Sequence, residues 1–416
     1  MKNIVIIGGG VIGLSSALYL RQAGHEVTVL DKNDFTDNCS YGNAGYVCPS
    51  HFIPLAAPGI VAQGLKWMFN PLSPFYVKPS LSNALLGWGL RFMRSANRKN
   101  VEQAGVPLRD IALLSAREYT QWEQLPGFSF DYERKGMLEI FQTEGNAEHA
   151  HHTVAQAKAL GLDTELVNKE ELQALEPHAK VNALGAIYFK CDGHLWPNKL
   201  MEQLKAYLQA QGVTLRAYQE VKNIAAQNGR ITKVITQDSE YSADEVVLAA
   251  GAWSRELAQV CGAGIPLMPG RGYSVTLDDF PVKVNHPAVL VEGRAAITPL
   301  GAGSLRLGGT MEVVPTHTPP NYKRVQGIVN TVNDFFPDFN IALPSEDKMW
   351  YGYRPCSADG IPYIGRGGKY GNLVIATGHS MLGLSLGAAT GKLVSEVIDN
   401  RPTAIDLKPF DPNRFQ

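Results

Sequence analysis

The feature that most constrains the fold is the first thirty residues, in which β-type and helical periodicity alternate. Asn3 to Ile7 is a short β-branched run, Val11 to Ala23 repeats its apolar residues at helical spacing, and Glu26 to Leu30 is β-branched again. This pattern predicts a strand, a helix and a second strand. The turn into the helix has the spacing G-x-G-x-x-G, and its glycines are Gly8, Gly10 and Gly13.

This turn has the spacing of a dinucleotide-binding unit, in which each glycine has its own role. The first allows a tight turn, the second lets backbone N–H groups approach a pyrophosphate, and the third lets the helix pack closely on the strand. The positive end of the helix then faces the phosphates. Asp31 follows the second strand, where its carboxylate can accept hydrogen bonds from a ribose. The sequence therefore predicts a nucleotide site, and the alternative is a purely structural glycine-rich turn.

Length and charge bound the rest of the protein. A chain of 416 residues exceeds what one hydrophobic core usually supports, so we expect two lobes. The formal charge of −1 argues against nucleic acid as a partner. The five cysteines form no CxxC pair, which predicts neither a disulfide framework nor a metal site and favours a reducing, cytoplasmic location.

A second strand-turn-helix pattern occurs near the C-terminal end. Leu373 to Ala376 predicts a strand, Thr377 to His379 a turn, and Leu384 to Ile398 a helix rich in small residues. The N-terminus of such a helix can face an anionic group. In a flavoprotein that group is the N1/C2 carbonyl edge of the ring, which gains negative charge on reduction.

The middle of the chain alternates between helix and strand signals, as if the chain crossed between lobes more than once. Val154 to Glu176 predicts helices with polar faces, and Thr214 to Ile224 predicts one strand. Ser274 to Thr310 is rich in short β-type runs and turns, which is typical of an antiparallel sheet. The predicted fold class is α/β, with a discontinuous Rossmann-like cofactor lobe and an α+β substrate lobe built on an antiparallel sheet.

One segment has an unusual charge pattern. From Asn38 to Val101 the chain has no aspartate or glutamate, while six lysines and arginines are interleaved with apolar side chains. The stretch 52–99 therefore has the composition of a peripheral contact with an anionic membrane surface. An amphipathic helical cover over the substrate lobe explains it equally well, and the sequence leaves both interpretations open.

Taken in order along the chain, these motifs resemble the FAD-dependent D-amino-acid oxidase superfamily, most closely its bacterial D-amino-acid dehydrogenase branch of the small-subunit type. The first matching stretches are IVIIGGGVIGLSSALYLRQAGHEVTVLDK, SYGNAGYVCPSHFIPLAAPG and LKWMFNPLSPFYVKPS. The later ones are VVLAAGAWS, RGYS, YRPCSADGIPYIG and ATGHSMLGLSLGAATGKLVSEVI. The resemblance implies an FAD-binding lobe at 1–75, 185–260 and 346–416, and a substrate lobe at 76–184 and 261–345. It also implies non-covalent FAD, because relatives with covalent flavin carry a cysteine where this chain has Gly352.

The FAD contacts that the resemblance implies fall on the two turns and on the loops between them. The segment 40–45 is expected along the flavin, the backbone of Val221 at the adenine, and Ala250 and Gly251 at the ribityl chain. The full set is Gly8, Gly10, Val11, Ile12, Gly13, Asp31, Lys32, Ser40, Asn43, Ala44, Gly45, Val221, Ala250, Gly251, Trp253, Gly378, His379, Met381, Leu382, Gly383 and Leu384.

Three residues are expected at the substrate. By resemblance, Arg354 in the frame Arg-Pro-x-x-x-Asp-Gly-x-Pro clamps a carboxylate, a role that suits the planar fork of a guanidinium. The alternative for Arg354 is a salt bridge, for instance with Asp359. Tyr273 is expected as a second carboxylate donor or an aromatic wall, and otherwise as a half-buried sheet tyrosine. His379 is expected to hydrogen-bond the flavin, unless it is only a turn residue.

The resemblance implies oxidative deamination of a D-amino acid to the 2-oxo acid and ammonia, by hydride transfer from Cα to flavin N5, with electrons passed to a quinone or another respiratory acceptor. Alternatives are a D-proline or hydroxyproline dehydrogenase, an amino-acid oxidase that uses oxygen, and a non-catalytic flavin-binding electron-transfer subunit. A nicotinamide-dependent dehydrogenase is disfavoured by the C-terminal Gly-His turn. No side chain stands out in the sequence as the base for the substrate amine. A cytoplasmic location is expected, with association with the cytoplasmic face of a membrane left open.

Overall fold

A computed structural model describes residues 1–36, 38–68, 70–80 and 82–416. The described strands are β1 (Asn3–Ile7), β2 (Glu26–Leu30), β3 (Tyr46–Val47), β4 (Phe75–Val77), β5 (Met137–Phe141), β6 (Thr164–Asn168), β7 (Gly185–Phe189), β8 (Gly193–His194), β9 (Thr214–Arg216), β10 (Val221–Gln227), β11 (Arg230–Thr236), β12 (Glu240–Ser242), β13 (Glu245–Leu248), β14 (Leu267–Leu277), β15 (Ala288–Leu290), β16 (Ala295–Leu300), β17 (Ser304–Val313), β18 (Met349–Ser357), β19 (Tyr363–Arg366) and β20 (Leu373–Thr377). The described α-helices are α1 (Val11–Gln22), α2 (Ile60–Trp67), α3 (Asn83–Ser95), α4 (Arg98–Trp122), α5 (Glu144–Ala159), α6 (Lys169–Leu175), α7 (Pro197–Ala210), α8 (Ser254–Val260), α9 (Lys323–Phe335) and α10 (Gly387–Ile398).

The first sheet has the order β19-β20-β13-β1-β2-β9, and its neighbours are parallel except β19 and β20. β13 and β20 are buried along their whole length, as expected for parallel strands covered on both faces. The strand, helix and strand predicted for the first thirty residues are confirmed as β1, α1 and β2. Because β1, β13 and β20 are parallel neighbours, the turns after them meet at one edge of the sheet.

The helices that follow β1 and β20 pack directly on each other. A Cβ at Gly391 would lie 2.5 Å from the backbone of Ser15, and a Cβ at Gly387 would lie 2.9 Å from Val11 Cγ2. Only glycine fits at such a distance, so the small residues of α10 allow the close approach. The N-termini of α1 and α10 therefore lie side by side.

The second sheet has the order β18-β14-β17-β16-β15-β5-β7-β6, and β4 also pairs with β17. Its pairings are antiparallel except for β5 with β15 and β4 with β17. The predicted α/β class with two lobes is confirmed. The predicted lobe boundaries stay a proposal. Two strands of the second sheet, β7 and β18, lie in segments that were assigned to the cofactor lobe.

Two local predictions from periodicity are wrong. The stretch 154–176, predicted as helices, contains the edge strand β6 between α5 and α6, because five residues are too few to show a strand period. The stretch 214–224, predicted as one strand, is divided between β9 and β10, which belong to different sheets. Tyr218 lies at the break with a φ of 57°.

The stretch 52–99 forms α2, β4 and α3, apart from Phe69 and Leu81, which lie outside the described residues. Trp88 anchors α3, because it is buried and its indole N–H donates to the Cys356 carbonyl at 3.0 Å. The predicted helical cover is thus present. The opposite side of α3 exposes Leu86, Leu90 and Met93, each by about half of its surface (49%, 53% and 52%). Among the described residues, none of the helices has the length and apolar character needed to cross a bilayer.

Candidate active site

One cavity of about 1950 Å³ runs from the turn after β1 to strand β18. It is larger than the ~300–1,000 Å³ of most ligand pockets, and it is lined by residues of both sheets. Its walls include the turns after β1, β13 and β20, as the sheet topology requires. The volume of the cavity is therefore sufficient to hold a large cofactor and a second molecule together.

The three glycines of the turn after β1 have different surroundings and therefore different roles. Gly8 has a φ of 111°, and a Cβ there would lie 2.4 Å from the Ala249 carbonyl oxygen. A Cβ at Gly13 would lie 1.9 Å from the carbonyl oxygen of Gly8, so both residues shape the turn. A Cβ at Gly10 would meet only Ser40 Oγ, at 3.6 Å, and would project into open space. Gly10 is therefore the glycine that leaves room for a ligand.

The carboxylate of Asp31 is fixed by the backbone. Its two oxygens accept hydrogen bonds from the N–H groups of Gly9 at 2.7 Å and Asn33 at 2.8 Å. Next to it, the ammonium of Lys32 lies 3.4 Å from the centre of the Trp253 ring, an approach suited to a cation–π contact. Asp31, Lys32 and Trp253 all line this end of the cavity, together with Val221.

The loop before β3 is held against the helix N-terminus. Ser40 Oγ accepts a hydrogen bond from the Val11 N–H at 3.0 Å. Arg306 on β17 donates to the carbonyl oxygens of Tyr41 and Asn43, at 2.9 and 2.7 Å, and burial lowers its pKa to about 10. Arg306 is not predicted from the sequence, because nothing local shows that β17 faces this loop.

The turn after β20 presents unsatisfied polar groups. His379 is buried, its Nε2 pairs with Thr390 Oγ at 3.0 Å, and burial lowers its pKa to about 3, which keeps the ring neutral. His379 Nδ1 and Ser380 Oγ have no hydrogen-bond partner among the described residues, and both residues line the cavity. Buried polar atoms are rarely left unpaired, so this wall is suited to a ligand with a polar edge.

Arg354 on β18 faces the same cavity. Its guanidinium donates to the Thr310 carbonyl at 2.6 Å, and within the described chain it has no carboxylate partner. Burial lowers its pKa from the usual value. The alternative of a salt bridge with Asp359 is wrong, because Arg414 occupies that carboxylate at 2.7 Å. Arg354 therefore brings a positive charge to the cavity wall that the protein does not neutralise.

Two backbone features accommodate this guanidinium, and sequence analysis missed both. A Cβ at Gly272 would lie 2.0 Å from Arg354 Nη1, so the side chain can cross β14 only because residue 272 is glycine. Thr310, whose carbonyl accepts the hydrogen bond, has a φ of 67°, which is unfavourable for a β-branched residue. The RGYS stretch was one available signal, since a glycine inside a strand indicates a close approach.

Tyr273 belongs to a different network. Its hydroxyl donates to Glu312 at 2.7 Å and accepts from the Asn321 N–H at 2.7 Å. Because that proton is already given to Glu312, the predicted role of second carboxylate donor is wrong for this arrangement, and an aromatic wall of the cavity is what remains. Glu312 also pairs with Arg271 at 2.8 Å and with Arg324 at 3.3 Å, and all three are almost fully buried.

The family model for FAD dependent oxidoreductases matches residues 3–397. The chain belongs to this family. The D-amino acid dehydrogenase of Paramagnetospirillum magneticum is 31% identical over 99% of both chains, and that of Neisseria meningitidis is 30% identical over 100% of both chains.

Solved structures show the same fold. Glycine oxidase from Geobacillus kaustophilus aligns with a TM-score of 0.79 at 23% identity, covering 100% of this chain and 99% of that one. L-proline dehydrogenase from P. horikoshii aligns with a TM-score of 0.79 at 21% identity, covering 100% and 97%. As a member of the FAD dependent oxidoreductase family, the protein is an oxidoreductase with FAD as its cofactor.

The described residues fit this cofactor. At the turn after β1, a Cβ on residue 10 would occupy the open space beside Gly10. At the turn after β20, His379 Nδ1 and Ser380 Oγ are available for hydrogen bonds to a ligand. The predicted FAD contacts that line the cavity are Gly8, Gly10, Val11, Ile12, Asp31, Lys32, Ser40, Asn43, Ala44, Val221, Ala250, Gly251, Trp253, His379, Met381, Leu382, Gly383 and Leu384. Gly13, Gly45 and Gly378 lie outside the lining and shape the backbone behind it.

Proposed function

We propose that the protein is a D-amino-acid dehydrogenase that converts a D-amino acid to the 2-oxo acid and ammonia. The observation that carries the proposal is Arg354, a guanidinium without a carboxylate partner in the described chain, on the wall of the FAD cavity. Two full-length relatives named D-amino acid dehydrogenase support the substrate class and its configuration. FAD, when bound, supplies the electron acceptor for the hydride of the substrate Cα.

The residues of this chain have the task of positioning. Arg354 binds the substrate carboxylate through two parallel hydrogen bonds, which fix orientation as well as charge. The Thr310 carbonyl holds the guanidinium, and Tyr273 forms part of the wall. His379 stays neutral, and because Thr390 Oγ donates to the Leu386 carbonyl, His379 Nε2 donates to Thr390 and Nδ1 is left as an acceptor for an N–H group of the ligand. Non-covalent attachment is supported by Gly352, which has no side chain to form a bond.

The decisive experiment is anaerobic flavin reduction. The purified protein should carry a flavin spectrum, and D-amino acids should bleach it while the L-enantiomers do not. D-Proline, hydroxyproline and glycine belong in the same panel. Absence of bleaching by all of them would overturn the proposal, although the protein would still be a flavoprotein. Oxygen and a quinone dye, compared as acceptors of the reduced flavin, separate an oxidase from a dehydrogenase.

We further propose that the exposed apolar stripe of α3 docks on an anionic membrane surface, where a quinone acceptor is available. Leu86, Leu90 and Met93 share one face, and the exposed Arg91 and Arg94 flank them. Apolar insertion and attraction to anionic headgroups then act together. Cosedimentation with anionic vesicles should be lost in a Leu86→Ser, Leu90→Ser double variant and weakened in Arg91→Gln, Arg94→Gln. Equal binding to neutral vesicles would contradict the electrostatic part.

A further inference from the structure

A buried hydrogen-bond chain lies in the cavity wall just after β3. Asp192 is 1% exposed, and its carboxylate accepts two hydrogen bonds from Ser50, from the N–H at 3.0 Å and from Oγ at 2.5 Å. The same Ser50 Oγ lies 3.2 Å from His51 Nδ1. Three side chains are thus connected in the order Asp192, Ser50, His51. A ring nitrogen of His51 and a carboxylate oxygen of Asp192 lie within 4.8 Å of each other.

The hydrogen bonds fix the tautomer of His51. A serine hydroxyl has one proton, and Ser50 gives it to the ionised Asp192. Ser50 Oγ therefore accepts from His51, so Nδ1 of His51 carries the ring proton and Nε2 carries a lone pair. No hydrogen bond to His51 Nε2 is found within the described part of the chain, and His51 lines the cavity.

The three hydrogen-bonded side chains lie close to the turn that follows β20. Two residues before Ser50, the Cys48 N–H donates to Ser385 Oγ at 2.9 Å. Ser385 directly follows Leu384, the last of the expected flavin contacts, and both line the cavity. Ser50 and His51 thus belong to the wall of the FAD cavity, and Asp192 lies buried behind them.

Burial leaves Asp192 as a proton acceptor with a pKa near neutral pH. Burial raises the pKa of Asp192 to about 7 against the hydrogen bonds from Ser50. Burial lowers the pKa of His51 to about 4, with Arg294 adding to this shift. The titratable and charged groups around the chain are Cys48, Tyr132, Glu139, Cys191 and Arg294. His51 is therefore neutral at pH 7. Of the three hydrogen-bonded side chains, Asp192 is the one whose charge changes near this pH.

We propose that His51, Ser50 and Asp192 form a proton relay that neutralises the substrate ammonium before its Cα–H bond is broken. The N–H bond of the ammonium breaks and its proton moves to His51 Nε2. The Nδ1 proton moves to Ser50 Oγ, and the Ser50 proton moves to Asp192, which becomes a carboxylic acid. His51 ends neutral, and no electron leaves the relay.

This inference rests on the proposed amine oxidation and adds the base that the sequence did not reveal. A substrate ammonium cannot give up a hydride from Cα without leaving a doubly charged product, so the proton must go first. His51 is the catalytic residue of the relay, because it would touch the substrate. Ser50 and Asp192 act through it and are positioning residues.

The test is the pH dependence of anaerobic flavin reduction by a D-amino acid in the stopped flow. In the wild-type protein the reduction rate at low substrate should rise with pH through an inflection near 7, because ionised Asp192 is the form that accepts. Asp192→Asn should remove this inflection and reduce the rate at pH 7 by ~10²-fold, with rate recovering only where the substrate amine loses its own proton. Ser50→Ala should lose the same inflection.

Cys191→Ala is the matched control, since Cys191 Sγ lies 3.5 Å from the same carboxylate but outside the relay. It should keep the inflection, moved to higher pH because the carboxylate loses the thiol hydrogen bond, and it should keep the rate above that inflection. His51→Gln tests the relay independently of Asp192, and every variant must retain the flavin spectrum at full occupancy. Asp192→Asn and His51→Gln with wild-type profiles would overturn the relay. Failure of D-amino acids to bleach the wild-type flavin would instead sink the proposed function.

Discussion

The two ends of the cavity are built from different materials. At the nucleotide end the turn after β1 provides space where Gly8 and Gly10 lack a side chain, and backbone N–H groups fix the carboxylate of Asp31. At the substrate end the cavity wall carries the guanidinium of Arg354 on β18, while Glu312 on β17 lies outside the cavity lining. Ligand binding at the nucleotide end depends on the space left by missing Cβ atoms. Ligand binding at the substrate end depends on which arginine charges the protein leaves without a carboxylate partner.

The substrate end also contains its own contrast. Arg271 and Arg324 share the carboxylate of Glu312, so their charges are compensated inside the protein. Arg354 pairs in register with Gly270, one residue from Arg271, and yet among the described residues its guanidinium has a carbonyl oxygen and no carboxylate as its partner. The difference is that the protein itself neutralises the guanidinium groups of Arg271 and Arg324, whereas the charge of Arg354 would be neutralised by the substrate carboxylate that we propose.

The largest effect is expected from removing the uncompensated charge. Arg354→Ala should reduce kcat/KM for a D-amino acid by roughly 10²–10⁴-fold, or about 3–5 kcal/mol, because a buried substrate carboxylate loses its partner. Arg354→Lys should recover only part of the loss, since an ammonium lacks the planar fork. Steady-state kinetics on flavin-saturated protein give the comparison. A change below about threefold in Arg354→Ala would remove this residue from the site.

The next largest effect is expected in the compensated cluster, in which Glu312 pairs with Arg271 and Arg324. Glu312→Gln leaves Arg271 and Arg324 buried without a counter-charge, and we expect a loss of about 3–5 kcal/mol in the free energy of unfolding. Denaturant unfolding of the flavin-loaded protein measures it. The exposed pair of Arg98 and Glu102 is the control, where Glu102→Gln should cost less than about 1 kcal/mol. Equal costs for the two pairs would break the contrast.

At the backbone end, two glycines should respond differently to one added methyl group. Gly8→Ala strains a φ of 111° and meets the Ala249 carbonyl, so both folding stability and FAD content should fall. Gly10→Ala meets open space, so the apoprotein should stay within about 1 kcal/mol of wild type while FAD affinity drops. Thermal unfolding of apoprotein and flavin titration separate these outcomes. An unchanged FAD affinity in Gly10→Ala would remove Gly10 from the cofactor site.

A smaller effect is expected from pH. His379 has a folded pKa of about 3 and an ordinary unfolded value, so the unfolded state binds more protons between these values. Stability therefore falls as pH drops through 6.5, by about 2 kcal/mol at pH 5 from this residue alone. His379→Gln should lose less stability than the wild type between pH 7 and 5. Parallel curves for the two proteins would show that His379 titrates normally.

The smallest effect has the opposite sign. Arg354→Met removes a charge that burial penalises, so the apoprotein should become as stable as the wild type or more stable, by at most about 2 kcal/mol. Arg271→Met, in the compensated cluster, should be destabilising because Glu312 loses a partner. Denaturant midpoints of the two variants give the comparison. A large loss in Arg354→Met would mean that this arginine stabilises the fold.

What the sequence could predict follows the same division. The turns around Gly8 and His379 are local, so spacing and flanking periodicity were enough to locate them. The resemblance assigned Arg354 to the substrate by its sequence frame, which stays a prediction, whereas the pairing of Asp359 with Arg414 depends on a residue far along the chain. The donor role of Tyr273 failed because Glu312 and Asn321 approach it from other elements. Contacts between distant strands, such as Arg306 with the loop before β3, have no local signature.

The packing of α1 against α10 has a consequence for how the protein is made. The turn after β1 is synthesised long before β20 and before Gly387, whose contact with Val11 closes the pocket between the two turns. A nascent chain that has not yet reached α10 therefore has only one of the two turns that line the cofactor cavity. Translation products that stop before β20 should accordingly bind FAD weakly and be colourless.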